Sequence, residues 1–223
     1  MEQQEVILRK PYGPTLLQTR IPEKFVQQVD AKASQMLSDE QLAKKYDHSM
    51  NLAGNVQQEV RFSTGWLNGD GKEIRDWLIS LGRYYLDQPP FGSDLRRSIY
   101  HFDYNVDVLD LTSMWTVSQW AGDFNPLHTH HGVLSGVFYT RMPKSLASEK
   151  AQEETHHRRG NGDIEFMCGG VSHPLNGNSA LFTPAVGDLF LFPSWLTHTV
   201  YPFRTPQEER RSVSFNLNFA RKG

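Results

Sequence analysis

Residues 210–219 read RRSVSFNLNF, and the alternation is unbroken. Arg210, Ser212, Ser214, Asn216 and Asn218 fall on one side of an extended chain, and Arg211, Val213, Phe215, Leu217 and Phe219 on the other. Successive side chains of a strand point to opposite faces. The segment is therefore a strand with one face packed on a neighbouring layer and a polar column opposite. Such a column is either the wet face of an edge strand or the lining of a polar cavity, with Arg210 at its mouth. Working back along the chain, SMWTVSQW (113–120), VLSGVFYTRM (133–142), DIEFM (163–167), SALFTP (179–184), DLFLFPSW (188–195) and HTVYPF (198–203) repeat the β-branched and aromatic character, separated by Gly, Pro and Asn. Six or seven short strands punctuated by turns predict an antiparallel sandwich or barrel. Trp115, Trp120, Phe190, Phe192 and Trp195 are assigned to its core. Residues 144–162, which include EKAQEETHHRRGNG, read as an exposed loop between two strands.

The first hundred residues differ. Val6–Leu8 and Thr15–Leu17 suit short strands. From Pro22 the positions Phe25, Val26, Val29, Ala33, Met36 and Leu37 follow a helical stripe. Ser38 with Gln41 is a capping-box pattern that predicts a second helix to Tyr46. HSMNLAGNVQQEVRF (48–62) reads as a loop. Asp70 is expected to cap a helix striped by Ile74, Trp77, Leu78, Leu81, Tyr84 and Tyr85, stopped by QPPFG (88–92). The expectation is a single α+β domain, 1–223, with helical support over 1–99 and a double-sheet β core over 100–223.

Composition narrows the function. The chain is 38% hydrophobic, 12% aromatic and 22% charged over 223 residues, which excludes disordered, collagen-like and coiled-coil classes. The 23 basic and 25 acidic residues give a net charge of −2, so no global field draws the chain to nucleic acid or an anionic membrane. The starting stretch MEQQEVILRKPYG has no apolar core, and no run approaches a membrane span. One cysteine, Cys168, favours a reducing, cytoplasmic setting.

Three features carry chemistry. In NPLHTHHG (125–132), His128 and His130 are two apart, which on a strand aims both imidazoles to one face. Two neutral imidazoles are half of a divalent transition-metal site. In FPSWLTHTVYPF (192–203), His198 offers a third and leaves open positions for other ligands. Alone, each is as well read as a polar or backbone-bonded histidine. Arg210 beside Ser212 is a receptor for a carboxylate through charge-assisted bonds. His131 is an alternative ligand if the segment is a loop, and Asp123 is an alternative to His130, although strand parity favours His130. His156 and His157 lie in a charged stretch. His48, His101 and His173 have no partner pattern, and Cys168 lacks a companion His.

The order His-x-His, His198, Arg210-x-Ser212 resembles the 2-oxoglutarate- and Fe(II)-dependent oxygenases, within them the prolyl-hydroxylase-like branch of bacteria and phages. The matching stretches are NPLHTHHGVLSGVFYT, GDLFLFPSWLTHTV and ERRSVSFN, with NLAGNVQQE near the N-terminus. The resemblance implies a double-stranded β-helix (jelly roll), with Fe(II) on His128, His130 and His198. It also implies that Arg210, Ser212 and Tyr139 hold the far carboxylate of 2-oxoglutarate. His130 stands where the commoner pattern has Asp or Glu. The activity implied is hydroxylation of a small-molecule or peptide substrate by O2, with release of succinate and CO2. The N-terminal helices would then shape the substrate pocket or a homodimer contact. Two other classes compete: a cupin-like three-histidine dioxygenase or isomerase that uses no oxo acid, and a non-enzymatic jelly-roll binding or structural module.

Overall fold

The computed structural model describes residues 6–9, 13–49, 58–88, 107–156, 160–169 and 178–221. QPPFG after Gln88 and most of NLAGNVQQE lie outside them. Among the described residues eleven strands fall in two antiparallel sheets. The larger sheet has the order β1-β2-β9-β6-β11-β4-β3, and the smaller β5-β10-β7-β8. Their ranges are β1 Val6–Arg9, β2 Leu16–Arg20, β3 Gln58–Arg61, β4 Asp107–Gln119, β5 Asn125–His128, β6 Leu134–Arg141, β7 Ile164–Met167, β8 Ser179–Phe182, β9 Asp188–Pro193, β10 Thr197–Val200 and β11 Arg210–Arg221. The α+β double-stranded β-helix expected from the sequence is the observed architecture.

The larger sheet is buried on both faces, and period-two alternation sorts its side chains. On β9, Leu189 and Leu191 join the core beneath the helices, while Phe190 and Phe192 join the core between the sheets. On β6, Leu134 and Phe138 divide from Val137 and Tyr139 in the same way. On β11, Val213, Phe215 and Leu217 face the helices. Helix α1 (Glu23–Ser38) buries Phe25, Val26, Val29, Ala33 and Met36, and α4 (Lys72–Asp87) buries Ile74, Leu78, Ile79 and Tyr85 against that face. An ionic cluster fixes α1 to the sheet: Asp30 pairs with both Arg141 and Arg211, and Glu209 with the same two guanidiniums. Burial alone would raise the Asp30 pKa, but the Arg141 and Arg211 guanidiniums outweigh it and hold the carboxyl low. With Arg211 anchored under α1, strand parity turns its neighbour Arg210 to the opposite side.

Several local expectations are corrected. Asp39, not Ser38, caps the second helix, α2 (Glu40–Lys45), by accepting from Gln41 N and Leu42 N. Ser38 ends α1 and donates to Gln35 O. Gly71 occupies the N-terminal position of α4, and Asp70 makes no cap; a short helix α3 (Thr64–Asn68) precedes it, capped by Ser63. The segment read as a loop over 48–62 ends in β3, because β4 pairs with β11 along one edge and leaves its other edge, at Trp115–Ser118, open to Gln58–Arg61. The segment 144–162 contains a helix, α5 (Leu146–His156), rich in Ala, Glu, Gln and Lys, whose helix propensity outweighs its charge. Buried Glu149 pins it by accepting from the backbone N–H groups of Arg204 and Thr205. Trp195 is 52% exposed, in the turn after β9, and is not a core residue.

Packing at Gly136 gives one stability prediction. A Cβ there would lie 2.2 Å from Cζ of Phe215, a rigid, fully buried ring directly opposite on β11. Gly136→Ala is expected to destabilise by about 1–3 kcal/mol, roughly 2–10 °C in Tm for a chain of this size. An unchanged melting temperature would show that the sheet yields at this point.

Candidate metal centre and cofactor cavity

His128 ends β5, and His198 lies directly opposite it on β10. His130 is not on the strand. It lies in the turn after it, so the strand-parity argument does not apply to it, although its ring still joins the other two. Its backbone N–H donates to Ser194 O at 2.9 Å, which turns the chain back. Gly132, with φ at 106°, completes that turn; a Cβ there would meet Leu217 O at 2.9 Å, so the position needs glycine.

The three imidazoles converge. Ring centroids are 4.2 Å apart for His128 and His198, and 5.0 Å for each pair with His130. One ring nitrogen from each lies within 4.8 Å of the others, spacing that can hold a metal ion. Nδ1 of His128 is 2.7 Å from Pro126 O, and Nδ1 of His198 is 3.0 Å from Leu196 O. A carbonyl can only accept, so both Nδ1 atoms carry the proton and both Nε2 lone pairs are free for a ligand. Burial lowers all three pKa values: His130 is pushed down to about 3, helped by His128 and His131, and His198 well below its ordinary range. All three rings are thus neutral donors at physiological pH. Phe166 and Phe192 pack on His198 at 5.8 and 4.9 Å, and Trp115 meets His130 edge-on at 5.7 Å. Asp123 is not part of this cluster; it accepts from Trp120 N at 2.9 Å within its own turn. His131 is also outside it.

The cluster opens on a cavity of about 540 Å³ between the sheets, lined by Ser212, Ser214, Asn216 and Asn218 of the polar column and by Tyr139. The column is therefore a cavity wall and not the wet face of an edge strand. Ser212 lies directly opposite Tyr139 across β11 and β6. Burial raises the Tyr139 pKa, so it remains a phenol.

Arg210 is not at the mouth of the column: it is fully enclosed, with no measurable exposure. Its Nε donates to Gln119 Oε1 at 3.1 Å, and Nη1 to Gly162 O and Tyr201 O at 3.0 Å each. Among the described residues no carboxylate pairs with it, and its Nη2 has no partner. Burial without a counter-ion lowers its pKa to about 10. Gln119, buried beside it, must turn Oε1 to the guanidinium, and this leaves its Nε2 unpartnered too.

Two residues that the sequence did not single out, Gln119 and Glu59, and one it set aside, His48, belong to this region. Gln119 lies opposite Arg210 on β4 and could have been found once those strands were paired. Glu59 and His48 also line the cavity, but no spacing links them to the histidines. Among the described residues no helix is long and apolar enough to cross a membrane.

Comparison with known proteins agrees with this geometry. Residues 113–216 match the model of the family described as "Putative 2OG-Fe(II) oxygenase". No curated protein matches the chain by sequence. Among solved structures, a prolyl-4-hydroxylase from Pseudomonas putida is similar at 15% identity and a TM-score of 0.56, covering 93% of each chain. A viral collagen prolyl hydroxylase from Paramecium bursaria Chlorella virus-1, solved with 2-oxoglutarate, is similar at 12% identity and a TM-score of 0.51, covering 91% of this chain and 94% of that one. The α-ketoglutarate-dependent epimerase SnoN of nogalamycin biosynthesis is similar at 12% identity and a TM-score of 0.55, covering 93% and 79%. At these identities the likeness is one of fold. The matched stretch, 113–216, takes in His128, His130, His198, Arg210 and Ser212, and the family it matches is described by the two cofactors Fe(II) and 2-oxoglutarate.

Proposed function

We propose that this chain is a hydroxylase in which His128, His130 and His198 hold Fe(II), and Arg210, Tyr139 and Ser212 hold the distal carboxylate of 2-oxoglutarate. The observation that carries the second half is the buried guanidinium of Arg210, with a free Nη2 and no acid partner among the described residues. A cation taken out of water without a counter-charge is costly, and a dicarboxylate supplies that charge. The unpartnered Nε2 of Gln119 is a second donor for the same carboxylate. Tyr139 and Ser212 add hydroxyls from the cavity wall. Bound Fe(II) and 2-oxoglutarate supply the oxidising power: O2 gives one oxygen atom to a substrate C–H bond and the other to succinate, with loss of CO2.

The protein's share is positioning. The Pro126 and Leu196 carbonyls fix the tautomers of His128 and His198, while Phe166 and Phe192 pack on His198 and Trp115 on His130. Three neutral imidazoles, Fe(II) and a dianionic oxo acid sum to zero charge, so this site has no need of the carboxylate ligand that the commoner pattern carries. A cupin-like reaction without an oxo acid leaves the enclosed Arg210 without a counter-ion.

Anaerobic addition of Fe(II) and 2-oxoglutarate together, and of neither alone, is expected to give the weak visible charge-transfer band of an oxo-acid chelate. Metal binding with no band on adding 2-oxoglutarate would overturn this reading in favour of the cupin-like one.

A further inference from the structure

The cavity extends beyond the residues proposed to hold the cofactors. Cross-strand pairing places Glu59, Val117, Ser212 and Tyr139 in one row across the larger sheet, and Arg61, Trp115, Ser214 and Val137 in the next. All eight line the cavity. Ser212 and Tyr139 are at the 2-oxoglutarate end. Glu59 is two strands away from Ser212, about 10 Å across the floor at the usual strand spacing. Between these ends, His130 rests on Trp115. The part of the cavity over β3 and β4 is thus separate from the Ser212–Tyr139 end proposed for the oxo acid, and it adjoins the histidine cluster at Trp115.

Glu59 sets the chemistry of that part. It is 4% exposed, and among the described residues its carboxyl has no hydrogen-bond or ion-pair partner. The charged and titratable groups around it are Asp47, His48 and Arg61. Asp47 has the same sign as Glu59, and burial lowers the His48 pKa, which keeps that ring neutral. Arg61 donates to Thr112 O and makes no ion pair with Glu59. Burial, reinforced by Asp47, raises the Glu59 pKa to about 8. In the same cavity wall the Trp115 and His48 rings lie 5.2 Å apart. A buried carboxyl that lacks a cation, in a cavity that also presents aromatic rings, is complementary to an organic ammonium group, through a charged hydrogen bond and cation–π attraction.

Resting on the oxygenase reading for its role in turnover, we propose that Glu59, with Trp115 and His48, is the substrate-recognition site, and that the substrate presents a protonated amine to it. The site then discriminates by charge, admitting an amine where a neutral isostere of the same shape gains nothing.

The test uses the chain with neither Fe(II) nor 2-oxoglutarate added, so its outcome is independent of the cofactor assignments. Two probes serve: piperidine, cationic at pH 7, and tetrahydropyran, its neutral isostere. Carboxyl carbon NMR, with the Glu59 resonance identified by its loss in Glu59→Gln, reads ionisation directly. At pH 7 the carboxyl is mostly protonated, and a bound ammonium draws off that proton, so piperidine is expected to move the resonance to its ionised position. Tetrahydropyran should not move it, and above pH 9, where Glu59 is already ionised, neither should piperidine. Ligand-observed NMR should show piperidine bound about tenfold more tightly than tetrahydropyran, with the preference lost in Glu59→Gln and kept in Arg210→Ala. Equal binding of the two probes, binding unaffected by Glu59→Gln, or no binding of piperidine overturns the proposal. Loss of 2-oxoglutarate binding in Arg210→Ala is judged separately and does not touch it.

Discussion

Replacing Arg210 with alanine is expected to weaken 2-oxoglutarate binding by about ten- to a hundredfold while leaving metal affinity unchanged. The size follows from the hydrogen bonds to a charged group that are lost, worth about 1.5–3 kcal/mol. The direction follows from where the charge sits: Arg210 is enclosed, and its Nη2 is free. A thermal readout makes the test independent of turnover. At a hundred times its dissociation constant, 2-oxoglutarate adds about 2.7 kcal/mol to the wild-type chain, roughly 5–10 °C for this length. The same concentration should raise the variant by no more than about 1–2 °C after a hundredfold loss. The substitution also strips Gly162 O, Tyr201 O and Gln119 Oε1 of their donor, so a second variant guards against a folding defect. Tyr139→Phe keeps the ring in the inter-sheet core and removes only a hydroxyl at the cavity wall. It should cost about two- to tenfold in 2-oxoglutarate affinity. Unchanged affinity in both variants, each folded, would retire the carboxylate assignment.

The contrast between what the sequence reveals and what it hides has a physical basis. The two-faced pattern of 210–219 is legible because β11 lies between a core and a cavity. Each odd position from Val213 to Leu217 is forced to be apolar by the helices, and each even one is left polar by the space opposite. The histidines are legible because a metal site of the kind proposed needs a fixed set of donors. The turn that carries His130 is not, because an i, i+2 pair looks alike on a strand and on a turn that preserves its direction. Glu59 is hidden for another reason. Gln58–Arg61 has the local composition of a loop, and it becomes a strand only because β4, far along the chain, has a second edge opposite β11 that supplies a partner. Helix α5 reverses this case: its local propensity was informative, and its charge obscured it. Arg210 was read from its neighbours as a cation at a cavity mouth. Its enclosure depends on Gly162, Tyr201 and Phe203, which close over it from outside its own strand.

The second large effect concerns the position where this chain departs from the commoner oxygenase pattern. His130→Ala is expected to weaken Fe(II) binding by at least about a hundredfold, since the loss of even a supporting residue around a metal ligand costs ten- to a hundredfold. Asp123→Asn is the control. Asp123 is buried and accepts from Trp120 N, so its replacement can lower stability, but it should leave metal affinity within about twofold. The reverse pattern, with affinity lost in Asp123→Asn and kept in His130→Ala, would assign the second ligand to the carboxylate. His130→Asp sharpens the question. An aspartate is shorter than histidine, and its negative charge would face the dry surroundings of Trp115 and His198, where burial of an anion is unfavourable. Fe(II) offsets that charge when bound. The aspartate variant should therefore be less stable than wild type without metal and should recover more stability on metal addition. Melting curves with and without Fe(II) under anaerobic conditions read both effects. Equal metal-induced shifts in wild type and His130→Ala would mean that two imidazoles suffice, and that His130 serves only to pack against Trp115.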